Sequence, residues 1–222
     1  ENPEPQYVFL YDLLKNSGAH IVCLSDRIQN EFLNRGNDST NVSILPCGID
    51  VDSYIIDEKD VLYPDRSIVV GKIEPRKRQS FLQHKGLNID FIGNNSDASF
   101  DTNDSCYFGE QSKEDIMENL TSYANMVLLS SGEAHPFVCL EGMAAGLGLV
   151  ISEQSTANLD VTKPFITVIP DSKLNDTKFL KDEIDNNRKV SMNMRKEIRQ
   201  YCRDNFDWCA IIKKYKEIIE NI

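Results

Sequence analysis

Two glutamates, Glu133 and Glu141, attract attention because Glu141 lies in a segment that otherwise reads as buried. From Pro136 to Ile151 it is the only carboxylate. Burying an unpaired carboxylate costs several kcal/mol, so the side chain must reach the surface or meet a partner. An outward position on an amphipathic helix is the structural alternative, but no other strongly polar residue between 137 and 145 would share that face. Glu141 is therefore predicted to accept hydrogen bonds from hydroxyl groups.

The amino end of the helix that carries Glu141 is a candidate anion site. Pro136 suits the first helical position. The backbone N–H groups of Phe137, Val138 and Cys139 would then have no acceptor within the helix. Such an end carries about half a positive charge and favours anions.

The loop before this helix holds Glu133 and His135, and it follows the predicted strand that ends at Ser130. A carboxylate repels a phosphate, so we expect Glu133 to hold a neutral group attached to one, such as a sugar hydroxyl. A solvated loop glutamate is the alternative. His135 either contacts the ligand or caps the helix, and the sequence leaves both interpretations open.

A basic turn provides a second candidate site. The segment 71–78, GKIEPRKR, follows a predicted strand and holds four cations in an acidic chain. A solvated basic turn is the alternative. The cations of this turn lie beside the start of one predicted helix, and the helix after Pro136 offers a second start that can bind an anion. Together these two helix starts favour a site that holds a diphosphate from both sides.

Two further strand ends give weaker signals. Gly93 and Asn94 end the predicted strand over 88–93, and Tyr107, Phe108 and Gly109 form a similar end. Judged singly, each is better explained as core or turn than as a ligand contact. The first is similar to part of a nucleotide-binding loop, and Tyr107, Phe108 and Gly109 could flank a base.

The elements that must position these residues alternate between apolar strands and helices. Strands are predicted over 20–25, 41–49, 67–72, 88–93, 106–110, 125–130, 148–152 and 165–170, with helices over 7–16, 26–35, 77–85, 112–123, the segment after Pro136, and most of 173–222. The strands lack apolar–polar alternation, as expected when both faces are covered. The pattern predicts an α/β fold with a doubly wound, Rossmann-like parallel sheet.

The composition restricts the class of ligand. The net charge of −11 argues against a nucleic-acid partner. The six cysteines show neither C-x-x-C pairs nor metal-ligand spacing, so we expect free thiols, a cytoplasmic protein and no metal or cofactor. No apolar run approaches the ~18–20 residues that span a bilayer. The chain starts at Glu1, which we interpret as a fragment whose upstream part is missing.

In this order, the motifs resemble those of the retaining GT-B glycosyltransferases with an E-x7-E pair (glycosyltransferase family 4-like). The segment SILPCGIDVDSY (43–54) is similar to the family's interdomain segment, GKIEPRK (71–77) to its basic turn, and FIGNN (91–95) to its glycine turn. Residues 130–152 resemble the E-x7-E region, and FDWCAIIKKY (206–215) resembles the terminal helix.

The resemblance implies a donor site for a nucleotide-diphosphate sugar. Lys72 and Lys77 would hold the diphosphate with the amides of 137–139, Glu141 would bind the ribose, and Glu133 the sugar. The implied catalytic residues are Glu133, Lys77 and Lys72, and the implied donor contacts are Gly71, Lys72, Lys77, Gly93, Asn94, Glu133, His135, Pro136, Phe137, Val138, Cys139 and Glu141. The implied reaction transfers a hexose with retention, by front-face attack.

The resemblance also divides the chain. Residues 1–45 would be the last β–α unit of an acceptor-side domain, 46–66 an interdomain crossing, 67–205 the donor-binding domain and 206–222 the terminal helix. A glycan, lipid or protein acceptor, and any peripheral membrane contact, would belong to the missing amino-terminal part. This chain alone could then be inactive.

Two departures from the family pattern are Lys72, where arginine is usual, and Gly148, where proline is usual. Two rival functions stay open: a nucleotide-sugar-binding or scaffolding domain without activity, and a glycosidase that uses the two carboxylates. The glycosidase fits poorly, because a raised pKa for Glu141 is not expected beside an anion-binding helix end.

Overall fold

The computed structural model describes residues 5–56 and 61–222, and the following elements belong to those residues. The strands are β1 (Ile21–Cys23), β2 (Val42–Ile44), β3 (Tyr63–Val70), β4 (Ile89–Ile92), β5 (Tyr123–Leu128), β6 (Gly148–Ser152) and β7 (Ile166–Ile169). The α-helices are α1 (Pro5–Ser17), α2 (Asp26–Asn34), α3 (Gln79–Gln83), α4 (Lys113–Asn119), α5 (Phe137–Ala144), α6 (Thr177–Asn193), α7 (Arg195–Phe206) and α8 (Trp208–Glu220).

The five strands β3–β7 form one parallel sheet in the order β4-β3-β5-β6-β7. The chain moves outward from β3 to β4 and then returns to the other side of β3 with β5. This reversal creates a crevice outside the carboxyl ends of β3 and β5, where open α/β sheets bind ligands.

The sheet has a hydrophobic core on each face, which explains why its strands lack alternation. On one face, Ile68 and Met126 pack with residues of α5 and α7. On the other face, Val69 and Val127 pack with residues of α3 and α6. The predicted doubly wound parallel sheet is confirmed.

A smaller unit precedes this sheet. Strands β1 and β2 pair in parallel, and Ile21, Cys23, Phe32 and Val42 form their core. The backbone then passes beside the end of α7: Ile49 N–H donates to Phe206 O over 2.9 Å, and Trp208 N–H donates to Ile49 O over 3.2 Å. The segment predicted as an interdomain crossing thus lies against the start of α8. The division into domains at 45, 66 and 205 stays a prediction.

Several predicted boundaries change. The segment 106–110 is not a full strand, although it lies along the edge of β4. A parallel bridge joins Phe91 and Tyr107, Phe91 N–H donates to Cys106 O over 2.8 Å, and Phe108 N–H donates to Phe91 O over 2.9 Å. The predicted helix over 77–85 is shorter, because Arg78 adopts a left-handed backbone with φ 58° between a 3₁₀ turn and α3. Strand β3 begins at Tyr63, inside the predicted crossing, of which residues 57–60 lie outside the described part.

Candidate functional site

The turns after β3 and β4 touch each other at the carboxyl edge of the sheet. Gly71 N–H donates to Ile92 O over 2.9 Å, and Ile73 N–H donates to Asn94 O over 2.8 Å. A Cβ atom on Gly93, whose φ is 150°, would overlap the Gly71 carbonyl group. Glycine at this position therefore permits the close approach of the two turns.

A cavity of about 430 Å³ opens above these turns. Four of its lining residues are predicted donor contacts: Gly71, Lys72, Gly93 and Asn94. The others come from the ends of β3 and β4, from the segment before α4 and from α4 itself: Val70, Ile92, Glu110, Gln111 and Ile116. Asn94 Nδ2 donates to Glu110 Oε2 over 3.1 Å. The predicted glycine turn thus borders a recess between β3, β4 and α4.

Lys77 lies between the basic turn and helix α5. A Cβ atom on Gly71 would come within 3.0 Å of Lys77 Nζ, so the ammonium group lies beside that turn. Burial raises the pKa of Cys139 and of Glu141, and the same ammonium partly opposes each rise electrostatically. Positive charge from Lys77 is therefore placed toward the amino-terminal half of α5.

The other cations of the turn have protein partners. Arg76 Nη1 forms an ion pair with Glu133 Oε1 at 3.1 Å, and Arg76 Nη2 forms one with Glu74 Oε1 at 2.7 Å. Arg78 Nη1 lies 3.0 Å from Asp171 Oδ1 and donates to Leu129 O over 3.3 Å. The lysines of this turn are thus better placed than the arginines to meet an incoming anion.

The start of α5 differs from the prediction by one residue. Pro136 is the residue before the first helical position, with φ −76° and ψ 84°. Its carbonyl accepts from Cys139 N–H over 2.9 Å, so the expectation of a free Cys139 amide was wrong. Phe137 and Val138 occupy the first two helical positions, whose N–H groups have no acceptor within a helix.

Glu141 has a protein partner that local sequence does not reveal. Tyr54, which is 1% exposed, donates its hydroxyl hydrogen to Glu141 Oε1 over 2.9 Å. Burial raises the pKa of Glu141, and the hydrogen bond from Tyr54 and the ammonium groups of Lys113 and Lys77 only partly offset it. The argument that a raised pKa is not expected here was therefore wrong, because desolvation outweighs the nearby positive charge.

His135 joins the two units of the chain. Its Nδ1 lies 3.0 Å from Asn158 Nδ2, and Asn158 also donates to Leu24 O at the end of β1 over 2.7 Å. The ring is 8% exposed, and burial lowers its pKa more than the nearby backbone groups of Ala157 and Cys47 raise it. These contacts describe a buried structural histidine, and its predicted contact with a ligand is untested.

The family departure at Gly148 has a local reason. The Gly148 N–H donates to Ser191 Oγ over 3.0 Å, and proline has no N–H to donate. This bond ties the start of β6 to α6.

Sequence reasoning missed two residues that hold the predicted site together, Tyr54 and Arg76. Tyr54 lies 87 positions before its partner, so no local pattern could join them. Arg76 was visible as part of the basic turn, but its partner could not be assigned without the turn's geometry.

Larger cavities lie elsewhere. One, about 480 Å³, lies between the two units and is lined in part by Leu24, Tyr54, Lys113, Phe137 and Trp208. Two others, of about 850 Å³ along α7 and about 590 Å³ beside α6, include none of the predicted site residues in their lining.

Within residues 5–56 and 61–222, no cluster of three or more metal-ligating side chains forms. Over the same residues, no helix is both long and apolar enough to cross a membrane. All six cysteines lie in the described part of the chain and are unpaired. The expected absence of a metal stays a prediction.

The fold is shared with solved glycosyltransferase structures. HepE from Anabaena, in complex with UDP and glucose, matches with TM-score 0.70 and 14% identity over 99% of this chain and 69% of its own. Sucrose-phosphate synthase from Thermosynechococcus elongatus matches with TM-score 0.73 and 16% identity over 99% and 62%. WaaG, a glycosyltransferase involved in lipopolysaccharide biosynthesis, matches with TM-score 0.63 and 15% identity over 91% and 64%.

These likenesses assign the fold of this chain: it is the Rossmann-like fold of the GT-B glycosyltransferases. The chain spans between 62% and 69% of the length of these three structures. No protein-family model and no curated protein matches the sequence.

Proposed function

We propose that this chain binds a nucleotide-diphosphate sugar in the crevice between β3 and β5, and that it forms the donor side of a retaining hexosyltransferase. The observation that carries the proposal is the position of Lys77. Its ammonium lies beside the Gly71 turn and acts on Cys139 and Glu141 of α5, so charge for a diphosphate is placed where two ligand-receptive elements meet.

The other site residues take roles that match their surroundings. The diphosphate lies against Lys77, Lys72 and the amides at the start of α5. The base enters the cavity beside Gly93 and Asn94, and Glu141 accepts from the ribose. Glu133, held near Arg76, accepts from hydroxyls of the sugar.

These residues would contribute to catalysis mainly by electrostatic stabilisation. Negative charge develops on the departing diphosphate, and fixed cations and helix amides stabilise that charge most when they are already in place. The bound sugar is oriented for attack by the acceptor. Retention is supported by the E-x7-E resemblance, and HepE, which shares the fold, is described with UDP and glucose bound.

The comparisons favour this function over a glycosidase, since the structures that share the fold include glycosyltransferases. The Tyr54 bond and the Arg76 ion pair also give the two carboxylates protein partners that suit positioning roles. A nucleotide-sugar-binding domain without activity would use the same site. Only an activity assay distinguishes that function from a transferase.

Calorimetric titration tests the proposal. The chain is titrated with UDP-, GDP- and ADP-sugars, and the titration is repeated with Glu141→Gln and with Glu118→Gln, an exposed glutamate on α4 that serves as the matched control. We expect one nucleotide class to bind and Glu141→Gln to weaken it about tenfold or more, as for loss of a hydrogen bond to a charged group.

Binding of no nucleotide sugar would refute the proposed function. Binding unaffected by Glu141→Gln would refute the ribose assignment. Donor hydrolysis or transfer by this chain alone would exclude the function of a binding domain without activity.

A further inference from the structure

Arg76 joins the loops that follow β3 and β5. Its guanidinium contacts Ser130 Oγ at 3.2 Å and the Gly132 carbonyl oxygen, both on the loop after β5. Its own carbonyl accepts from Ser131 N–H over 2.8 Å and from Ser131 Oγ over 3.2 Å. Side chain and backbone of one residue thus hold the whole Ser130–Gly132 turn.

The same guanidinium is shared by two carboxylates. Nη1 lies 3.1 Å from Glu133 Oε1, and Nη2 lies 2.7 Å from Glu74 Oε1. The Glu133 side chain is 14% exposed and that of Arg76 is 45% exposed. Burial lowers the pKa of Arg76, but the two carboxylates outweigh burial and raise it, so the cation is permanent.

The ion pair engages one oxygen of Glu133. A carboxylate has a second oxygen and several lone pairs, so it can accept from a ligand hydroxyl while the arginine fixes its direction. An arginine fork suits this task better than lysine, because its planar donors fix direction as well as charge.

We propose that Arg76 is a positioning residue for sugar recognition: it holds Glu133 so that the free carboxylate oxygen faces the sugar of the donor. This inference rests on the proposed function. Arg76 acts through Glu133 and does not contact the diphosphate, because both of its Nη atoms contact groups of the protein: Glu74, Ser130, Gly132 and Glu133. It therefore contributes to the affinity for the sugar and not for the nucleotide.

The test compares affinities for a nucleoside diphosphate and for the same nucleotide with its sugar. Calorimetry measures the affinity of the chain for UDP and for UDP-glucose, and likewise for GDP and for GDP-mannose. The variants are then compared with whichever pair the unmodified chain binds. The variants are Arg76→Met, Arg76→Lys, Glu133→Gln and the double variant Arg76→Met/Glu133→Gln. Arg78→Lys is the matched control, because Arg78 is the neighbouring arginine and contacts Asp171 and Leu129 instead.

We expect Arg76→Met to lower the affinity for the nucleotide sugar about tenfold, on the scale of a lost hydrogen bond to a charged group. The affinity for the nucleotide alone should fall less than about twofold. Arg76→Lys should give a smaller loss, and Arg78→Lys none. The affinity of the double variant for the nucleotide sugar should be no lower than that of Glu133→Gln alone, since both changes remove the same contact.

Other outcomes would overturn the inference. Equal weakening of nucleotide and nucleotide sugar by Arg76→Lys, in a variant whose Tm is unchanged, would mean that Arg76 serves the phosphate. Additive losses in the double variant would mean that Arg76 does not act through Glu133. Failure of the unmodified chain to bind either pair would refute the proposed function itself and, with it, this inference.

Discussion

Replacing Tyr54 with phenylalanine removes one oxygen atom, the hydroxyl that donates to Glu141 Oε1 over 2.9 Å. The ring is 1% exposed and lies in the core of the sheet, so phenylalanine fills the same space. The change therefore isolates the hydrogen bond from the packing of the ring.

The expected loss of stability follows from the Glu141 carboxylate, which loses its hydrogen-bond donor. Hydrogen bonds to charged groups contribute about 1.5–3 kcal/mol, and a half-buried carboxylate without a donor carries a desolvation penalty. We expect Tyr54→Phe to lower the free energy of unfolding by about 1.5–3 kcal/mol at neutral pH. For a chain of this size that corresponds to a fall in Tm of roughly 3–12 °C.

The loss should depend on pH. Burial raises the pKa of Glu141, and the bond from Tyr54 opposes that rise, so Tyr54→Phe raises the pKa further. The difference from the unmodified chain is largest above the raised pKa of Glu141, where the carboxylate is ionised, and it shrinks as acid protonates the carboxylate. Nucleotide-sugar affinity should fall as well, because Glu141 loses its fixed direction.

Thermal unfolding at several pH values and calorimetric titration measure both effects. Tyr215→Phe, at a 47% exposed tyrosine of α8, is the control and should change neither. Equal Tm values and equal affinities for Tyr54→Phe and the unmodified chain would refute the assignment of Tyr54 as the residue that orients Glu141.

Three further predictions concern the same site and can be checked by thermal unfolding. Glu141→Gln should stabilise the chain at neutral pH, and this gain should vanish on acidification. Because the pKa of Glu141 is raised in the folded chain, ionisation of Glu141 destabilises the fold as the pH rises from 4.5 through the folded pKa, and glutamine does not ionise. Burial lowers the pKa of His135, so stability should fall as pH drops from 6.5 through the folded value, and His135→Gln should flatten that fall; an unchanged slope would contradict this. Gly93→Ala should cost more than about 3 kcal/mol, because its Cβ meets the Gly71 carbonyl, whereas Gly86→Ala, at φ 65° in open space, should cost about 1–2 kcal/mol; equal losses would contradict the close approach of the two turns.

The sequence was most informative where strands are largely apolar. Strands β5 and β6 lie in short, largely apolar runs without alternation, as expected for a sheet covered on both faces, and both were predicted close to their observed bounds. The segment 106–110 was correctly expected to be extended beside the sheet, since it lies along the edge of β4, but its pairing is too short to form a strand. Tyr107 also donates its hydroxyl to Gly93 O over 2.8 Å.

The site was predictable in outline but not in its contacts. The turns at 71–78, 93–94 and 130–133 could be placed at one edge, because parallel strands end together. The partner of Glu141 could not, since Tyr54 comes from a segment that composition assigned to an irregular crossing. Burial of that segment depends on packing against α5 and α7, which no local pattern encodes.

A crystal structure of this chain with the nucleotide sugar that binds in calorimetry would test the proposed donor site directly. We expect the diphosphate within hydrogen-bond distance, about 3 Å, of Lys77 and of the amides at the start of α5. We also expect the ribose to contact Glu141 and the sugar to contact Glu133. A nucleotide found along α7, in the cavity lined by Asn158 and Tyr201, would contradict the proposed site.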